Sequence, residues 1–376
     1  MNIGIVCYPT FGGSGVVATE LGKALAKNGN QVHFITYRQP FRLDMVTENL
    51  FYHEVSISNY ALFDYPPYEL SLTNSLVDVA LYEHLDILHV HYAIPHASAA
   101  FMAKQILASK GIHLPFITTL HGTDITLIGK DASYNEVITF AMNQSDAITT
   151  VSESLKQDTI DHFRVNKEIT VVPNFICLEN HLHKKDDGLR KLYAPNGEKI
   201  VMHISNFRKV KRMDHVIKVF EKIRQKVPAK LLLVGDGPER HNVENLCRKL
   251  NVYQDVKMLG KLKETYRALS MADIFLLPSK TESFGLSALE AMASGVPVIS
   301  TNSGGLPEVN IHGETGMLSE VGDIEGMAMN AINLLSDDLT LKDFSRKAKL
   351  RAEKFDIRRI LPKYEGLYRK VLSKNN

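Results

Sequence analysis

The sequence predicts an α/β protein of two Rossmann-like domains facing across a cleft, and three observations lead there. At 376 residues the chain exceeds the size at which one hydrophobic core stops growing. Short apolar runs alternate with helical periodicity along the chain, the pattern of stacked βα units on a parallel sheet. That alternation comes as two series separated by a stretch without clear periodicity.

In the first series strands are expected at 2–7, 31–36, 86–90, 115–120, 146–151 and 169–172, with helices near 15–28, 70–84, 95–110, 134–144 and 152–162. In the second, strands at 199–204, 230–235, 256–259, 273–277 and 296–300 alternate with helices near 212–227, 238–250, 264–271, 285–294 and 323–335. Residues 173–196, with His181, His183 and the charged run 184–187, read as a linker. The last helices are expected at 338–354 and 362–373, with Pro362 suited to a first helical turn. The division is therefore 1–172, linker 173–196 and 197–356, with the C-terminal helix 357–376 packing back on the first domain.

Apolar content of 44% and charged content of 23% are ordinary for a globular enzyme. A net charge of +2 gives no reason to expect nucleic acid. Residues 341–376 carry twelve Lys/Arg against four Asp/Glu, which solvated helix faces explain and a membrane surface explains less well. Cys7, Cys177 and Cys247 lack any paired spacing, which fits a reducing compartment. No apolar run approaches a membrane span, and residues 2–7 read as a first strand rather than a signal peptide, so the cytoplasm is expected.

The most informative segment is 282–290, ESFGLSALE, between the strand 274–277 and an Ala-rich helix. A glycine-bearing loop that opens a helix at a strand's carboxyl end suits an anion, through free N–H groups and the helix dipole. Two carboxylates would repel a bare phosphate but would suit a ligand that also carries hydroxyls, so the segment suggests a nucleotide sugar. Gly12-Gly13-Ser14-Gly15 follows strand one without the dinucleotide spacing, and it reads equally as a tight turn. Strand two runs into Tyr37-Arg38 rather than an acidic residue, which argues against NAD.

Arg208-Lys209-Val210-Lys211-Arg212 places four cations in five positions after a strand, a repulsive arrangement that a diphosphate would relieve. His89, His91, His96 and His121 form a histidine-rich set without a third ligand at zinc spacing, so no metal is expected. His89 suits a satisfied core position, whereas His121, in His121-Gly122-Thr123-Asp124, stands where a strand would deliver it to the cleft. Gly235-Asp236-Gly237-Pro238-Glu239 and residues 302–308 repeat the theme of a turn before a helix start, which local turn chemistry also explains.

Together these segments resemble the GT-B retaining glycosyltransferases of the family 4 type, across nearly the whole chain. The glutamate–seven residues–glutamate element at 282–290 is the most specific match, supported by 235–239 and 304–308. The resemblance narrows, on residues 7–15, 88–97, 118–125 and 204–212, to members of the bacillithiol pathway. It implies transfer of N-acetylglucosamine from UDP-N-acetylglucosamine to the hydroxyl of L-malate, the first step of that pathway, without cofactor or metal. His121, Arg208, Lys211 and Glu282 are then the expected catalytic residues. Gly13, Gly15, Gly235, Gly260, Lys261, Ser283, Phe284, Gly285, Leu286 and Glu290 are expected at the donor, and Ser14, Tyr92 and Thr119 at the acceptor. One departure from the family pattern stands out: many relatives place the arginine five residues before the lysine, where this chain has Asn206.

The expected partners are a UDP-sugar and a small hydroxy acid, with no nucleic acid and no membrane; a homo-oligomer stays open. Three rivals remain: a membrane-associated glycolipid glycosyltransferase, a UDP-sugar epimerase or hydrolase, and a non-catalytic dinucleotide-binding protein.

Overall fold

The computed structural model describes every residue except 11, 44–45, 58–64, 128, 130, 182–186 and 375–376. The chain divides into two units, one of residues 1–174 with 357–376 and the other of residues 175–356.

The first unit is built on strands β1 (Asn2–Val6), β2 (Gln31–Thr36), β3 (Leu50–Glu54), β4 (Ile87–His91), β5 (Phe116–Leu120), β6 (Ala147–Thr150) and β7 (Ile169–Val171). They form one sheet in the order β3-β2-β1-β4-β5-β6-β7, with every pairing parallel. Helices α1 (Gly13–Lys27), α2 (Tyr68–Tyr82), α3 (Ser98–Ala108), α4 (Ala132–Gln144) and α5 (Glu153–His162) make the crossovers. Strands β4 and β5 are buried along their whole length, as a doubly covered parallel sheet requires.

The second unit holds α6 (Asp187–Tyr193), β8 (Lys199–Ile204), α7 (Met213–Arg224), β9 (Ala229–Val234), α8 (Arg240–Lys249), β10 (Val256–Gly260), α9 (Tyr266–Leu269) and β11 (Ile274–Leu277). It continues with α10 (Leu286–Ala293), β12 (Val298–Thr301), α11 (Leu306–Val309), β13 (Gly316–Ser319), α12 (Ile324–Ser336) and α13 (Asp338–Ala352). Its parallel sheet runs β10-β9-β8-β11-β12-β13, the doubly wound order 3-2-1-4-5-6. Helix α7 shows why: Met213, Val216, Ile217, Phe220 and Ile223 recur at helical spacing and bury one stripe against β8 and β9.

Two strands lie outside the sequence expectation, β3 and β13, and each is the outer strand of its sheet. The other two edge strands, β7 and β10, fall where expected; β3 (LFYHE) buries only its first residue and β13 (GMLS) is four residues long and opens with glycine, so neither carries a sustained apolar run. Within the stretch read as a linker, 178–181 and α6 are helical, and residues 182–186 of its charged run lie outside the described residues. The C-terminal helix begins at Ile357 and runs to Ser373, so Pro362 sits inside it rather than in its first turn. Burial explains the earlier start: Ile357, Ile360 and Leu361 already face the interior, and that packing outweighs one missing backbone hydrogen bond. Farther along, Tyr364 and Tyr368 are fully buried in the first unit.

Candidate functional site

Each sheet reverses its winding between two neighbouring strands, β1 and β4 in the first unit and β8 and β11 in the second. The crossovers leave such a pair in opposite directions, which opens a crevice at the strands' carboxyl ends. The candidate residues collect at these two points.

In the second unit the loop after β8 carries Arg208 and the one-turn helix Lys209–Lys211, and the loop after β11 carries Glu282. Lys211 Nζ lies 2.5 Å from Glu282 Oε1, with the two side chains 20% and 11% exposed. Ser279 Oγ donates to the same oxygen at 2.8 Å, and its carbonyl accepts from Thr301 Oγ1. Glu282 is thus braced from the sheet, while Lys211 projects from a loop whose backbone turns left-handed at Phe207 and Arg212. Burial of the whole Phe207 ring in the core offsets the cost of its φ of 39°.

Glycines let the loops stack on one another. Gly304 has φ 60°, and a Cβ there would meet the Glu282 carbonyl oxygen at 2.0 Å. Gly235 has φ 116°, and its Cβ would meet the Ser205 carbonyl oxygen at 1.8 Å. The two glycine turns therefore buttress, backbone to backbone, the loops that bear Glu282 and Lys211.

The remaining second-unit residues stand at the ends of neighbouring strands or at the start of α10. Gly285, with φ 93°, opens α10, whose first N–H groups have no intrahelical acceptor. Leu286 begins that helix, with Ser283 and Phe284 just before it. Phe284 is 3% exposed and packs edge-on against Phe355, so its ring anchors the loop and only its backbone is available to a ligand. Glu290 lies one turn into α10, almost buried, and accepts from Thr265 Oγ1 at 3.3 Å. Gly260 accepts from Gly235 N, joining two strand ends, and Lys261 follows it on the surface. Arg208 is exposed on extended backbone, and Asn206 is exposed too.

In the first unit Tyr92 Oη donates to Ser14 Oγ at 2.8 Å, joining the loop after β4 to the first turn of α1. Gly13 and Gly15 flank Ser14 in that turn, Gly13 exposed and Gly15 buried. Tyr92 holds φ 87° with ψ 141°, backbone that is nearly confined to glycine and that clusters at functional sites. Its ring centroid is 5.3 Å from that of His121, whose Nε2 lies 2.7 Å from His91 Nδ1. Burial pushes His121 down to about 3 and His91 well below its ordinary value, so both rings are neutral at pH 7. Buried Asp124 accepts from Ala93 N and Gly122 N, tying the two loops together; burial raises it to about 6 despite those bonds.

Thr119 does not fit the acceptor role expected of it. It is 0% exposed, and its hydroxyl is engaged by His89 Nε2 and Thr149 Oγ1, each at 2.6 Å. Side chains alternate along a strand, and at position 119 the side chain points into the interior. His89 is a satisfied core histidine, held also by Tyr368 Oη at 2.7 Å. Ser279 and the bracing role of Asp124 escaped the sequence reading, because a serine three residues before a glutamate carries no motif and a loop aspartate reads as turn chemistry.

Comparison with known proteins follows the same division. The family profile "Glycosyltransferase Family 4" matches residues 11–180 and "Glycosyl transferases group 1" matches 185–351. The chain is 49% identical to N-acetyl-alpha-D-glucosaminyl L-malate synthase of Bacillus anthracis, over 99% of this chain and 97% of that one. It is 27% identical to an uncharacterized glycosyltransferase of Haemophilus influenzae, over 98% of both. Among solved structures it resembles Anabaena Alr3699/HepE in complex with UDP and glucose, with TM-score 0.85, 18% identity and coverage of 98% and 100%. Sucrose-phosphate synthase of Thermosynechococcus elongatus gives TM-score 0.83 at 20% identity, over 99% of each chain.

Proposed function

Because this chain belongs to the family 4 glycosyltransferases and has their GT-B fold, we propose that it moves N-acetylglucosamine from UDP-N-acetylglucosamine to the hydroxyl of L-malate, with retention, at the first step of bacillithiol biosynthesis. The observation that carries the reading is the 49% identity, over almost all of both chains, to a synthase named for that product. The residues described above supply a chemistry consistent with it.

The donor belongs to the second unit. Lys211 and Arg208 neutralise the departing diphosphate, Lys211 as a point charge and Arg208 through its planar fork of donors. The N–H groups at Ser283–Leu286 face phosphate oxygens, Glu290 accepts from ribose hydroxyls, and Glu282 accepts from hydroxyls of the transferred sugar. Gly235, Gly260 and Lys261 complete the donor-side loops of the second unit. His121, neutral and oriented by His91, lines the sugar. Ser14 and Tyr92 offer hydroxyls to the acceptor.

In the transfer step the bond from the anomeric carbon to the diphosphate oxygen breaks as the malate hydroxyl bonds to that carbon on the same face. The hydroxyl proton passes to the leaving phosphate. The protein stabilises the growing negative charge by groups fixed in advance. Neither glutamate serves as a nucleophile, unlike the paired carboxylates of glycosidases, and the step uses no metal. The partner set is a UDP-sugar and a small hydroxy acid. Among the described residues no helix is long and apolar enough to cross a membrane.

The test is incubation of the purified protein with UDP-N-acetylglucosamine and a panel of hydroxy acids, following UDP release and product mass. Malate-dependent release with the mass of the glycoside supports the reading. Release without any acceptor points to a hydrolase, and transfer to lipid alone points to a glycolipid enzyme.

A further inference from the structure

Away from the histidines singled out in the sequence, another group has the geometry of a metal site. His33 on β2, His53 on β3 and Glu83 just after α2 each offer one ligand atom, and these atoms lie within 4.8 Å of one another. His33 pairs with Phe51 in the β2–β3 register, so His53, two residues on, is its diagonal neighbour on the same face. His33 Nδ1 and His53 Nε2 are 3.0 Å apart. Two ligands at bond lengths of about 2.0–2.1 Å around a tetrahedral ion stand about 3.3 Å apart, so little movement separates this pair from coordination. We propose that His33, His53 and Glu83 bind a divalent transition-metal ion of the zinc class, with a fourth position left to water.

Two further facts support the site. His33 is fully buried, stacked on Phe51 at 4.7 Å between centroids, which fixes its ring in advance. Glu83 is tethered through its carbonyl, which accepts from Asn2 Nδ2 at the start of β1. That places Glu83 at the amino end of β1, whereas Ser14 and Tyr92 stand beyond the carboxyl ends of β1 and β4. The ion would therefore clasp the edge strand β3 to β2 and α2, as a structural bond without a part in transfer. The spacing of twenty and thirty residues between ligands explains why no metal motif marks it.

The experiment uses the full chain stripped with chelator and titrated with Co2+, then with Zn2+. One Co2+ per chain with visible bands of tetrahedral intensity, displaced by Zn2+, is expected, together with a Zn2+-dependent rise in Tm. His53→Ala and Glu83→Gln should each weaken binding by more than the roughly 10–100-fold that loss of a ligand's outer partner costs. Both variants should keep wild-type transferase activity, which doubles as the control for folding. Binding of Co2+ no tighter in the wild type than in His53→Ala overturns the site and leaves only a histidine–histidine hydrogen bond.

Discussion

Lys211 and Glu282, 71 residues apart, form an ion pair of 2.5 Å at the point where the second sheet reverses its winding. Each is the other's charge partner, so the two cannot be altered independently. Lys211→Ala is expected to lower kcat by about 100-fold or more, the scale of losing one preorganised donor to a developing anion. The same change leaves Glu282 poorly neutralised beside Ser279, so some stability is lost as well. The double variant Lys211→Ala/Glu282→Ala should regain part of that stability but none of the activity. Urea unfolding and steady-state kinetics on the three proteins decide it; near-normal turnover in Lys211→Ala contradicts its role at the departing diphosphate.

Gly304→Ala should cost at least about 2 kcal/mol, since it adds left-handed strain to a clash with the Glu282 carbonyl. Gly313 shares the left-handed backbone, with φ 75°, but a Cβ there meets nothing within 4 Å. Gly313→Ala should therefore show the backbone penalty alone, about 1 kcal/mol. Equal losses at the two positions would contradict the buttress reading.

Tyr92→Phe removes the bond to Ser14 and should raise KM for malate by about fivefold to tenfold, the worth of one hydrogen bond. Thr119→Val should leave that KM unchanged and act through stability, because its hydroxyl bonds only to interior groups. A malate KM raised by Thr119→Val alone would restore the acceptor role that its burial denies it.

The buried histidines give a pH dependence whose sign can be worked out. In the fold His89 and His121 stand at about 3 and His96 at about 4, against 6.5 when exposed. From pH 6.5 down to 4 the unfolded chain binds protons that the fold refuses, so their contribution falls as pH is lowered. Asp124 works the other way: raised from 3.8 to about 6, it binds its proton earlier in the fold. Three histidines against one carboxyl leave a net loss, with each uncompensated proton worth up to about 1.4 kcal/mol per pH unit. Urea unfolding at steps through this window should show falling stability; a flat profile would mean that these rings titrate in the fold as they do in the unfolded chain.

Much of this was legible in the residues. The buried strands announced themselves as apolar runs, and the loops after β8 and β11 could be placed because α/β proteins hold ligands at strand ends. Strands β3 and β13 could not, since one buries a single residue and the other is four residues long and opens with glycine. Thr119 misled because its loop neighbours suit a ligand site, while strand alternation, invisible without the register, turns its hydroxyl inward. The pairing of Lys211 with Glu282, and of Ser14 with Tyr92, depends on strand order, which local sequence does not encode. The same holds for His33, His53 and Glu83, brought together only by β2–β3 pairing and the end of α2.

The most direct measurement is a crystal structure of the protein with UDP bound. The diphosphate should lie within hydrogen-bond reach of Lys211 and the N–H groups opening α10, with the ribose hydroxyls on Glu290. A nucleotide bound away from both Lys211 and Glu290 would contradict the proposed donor site.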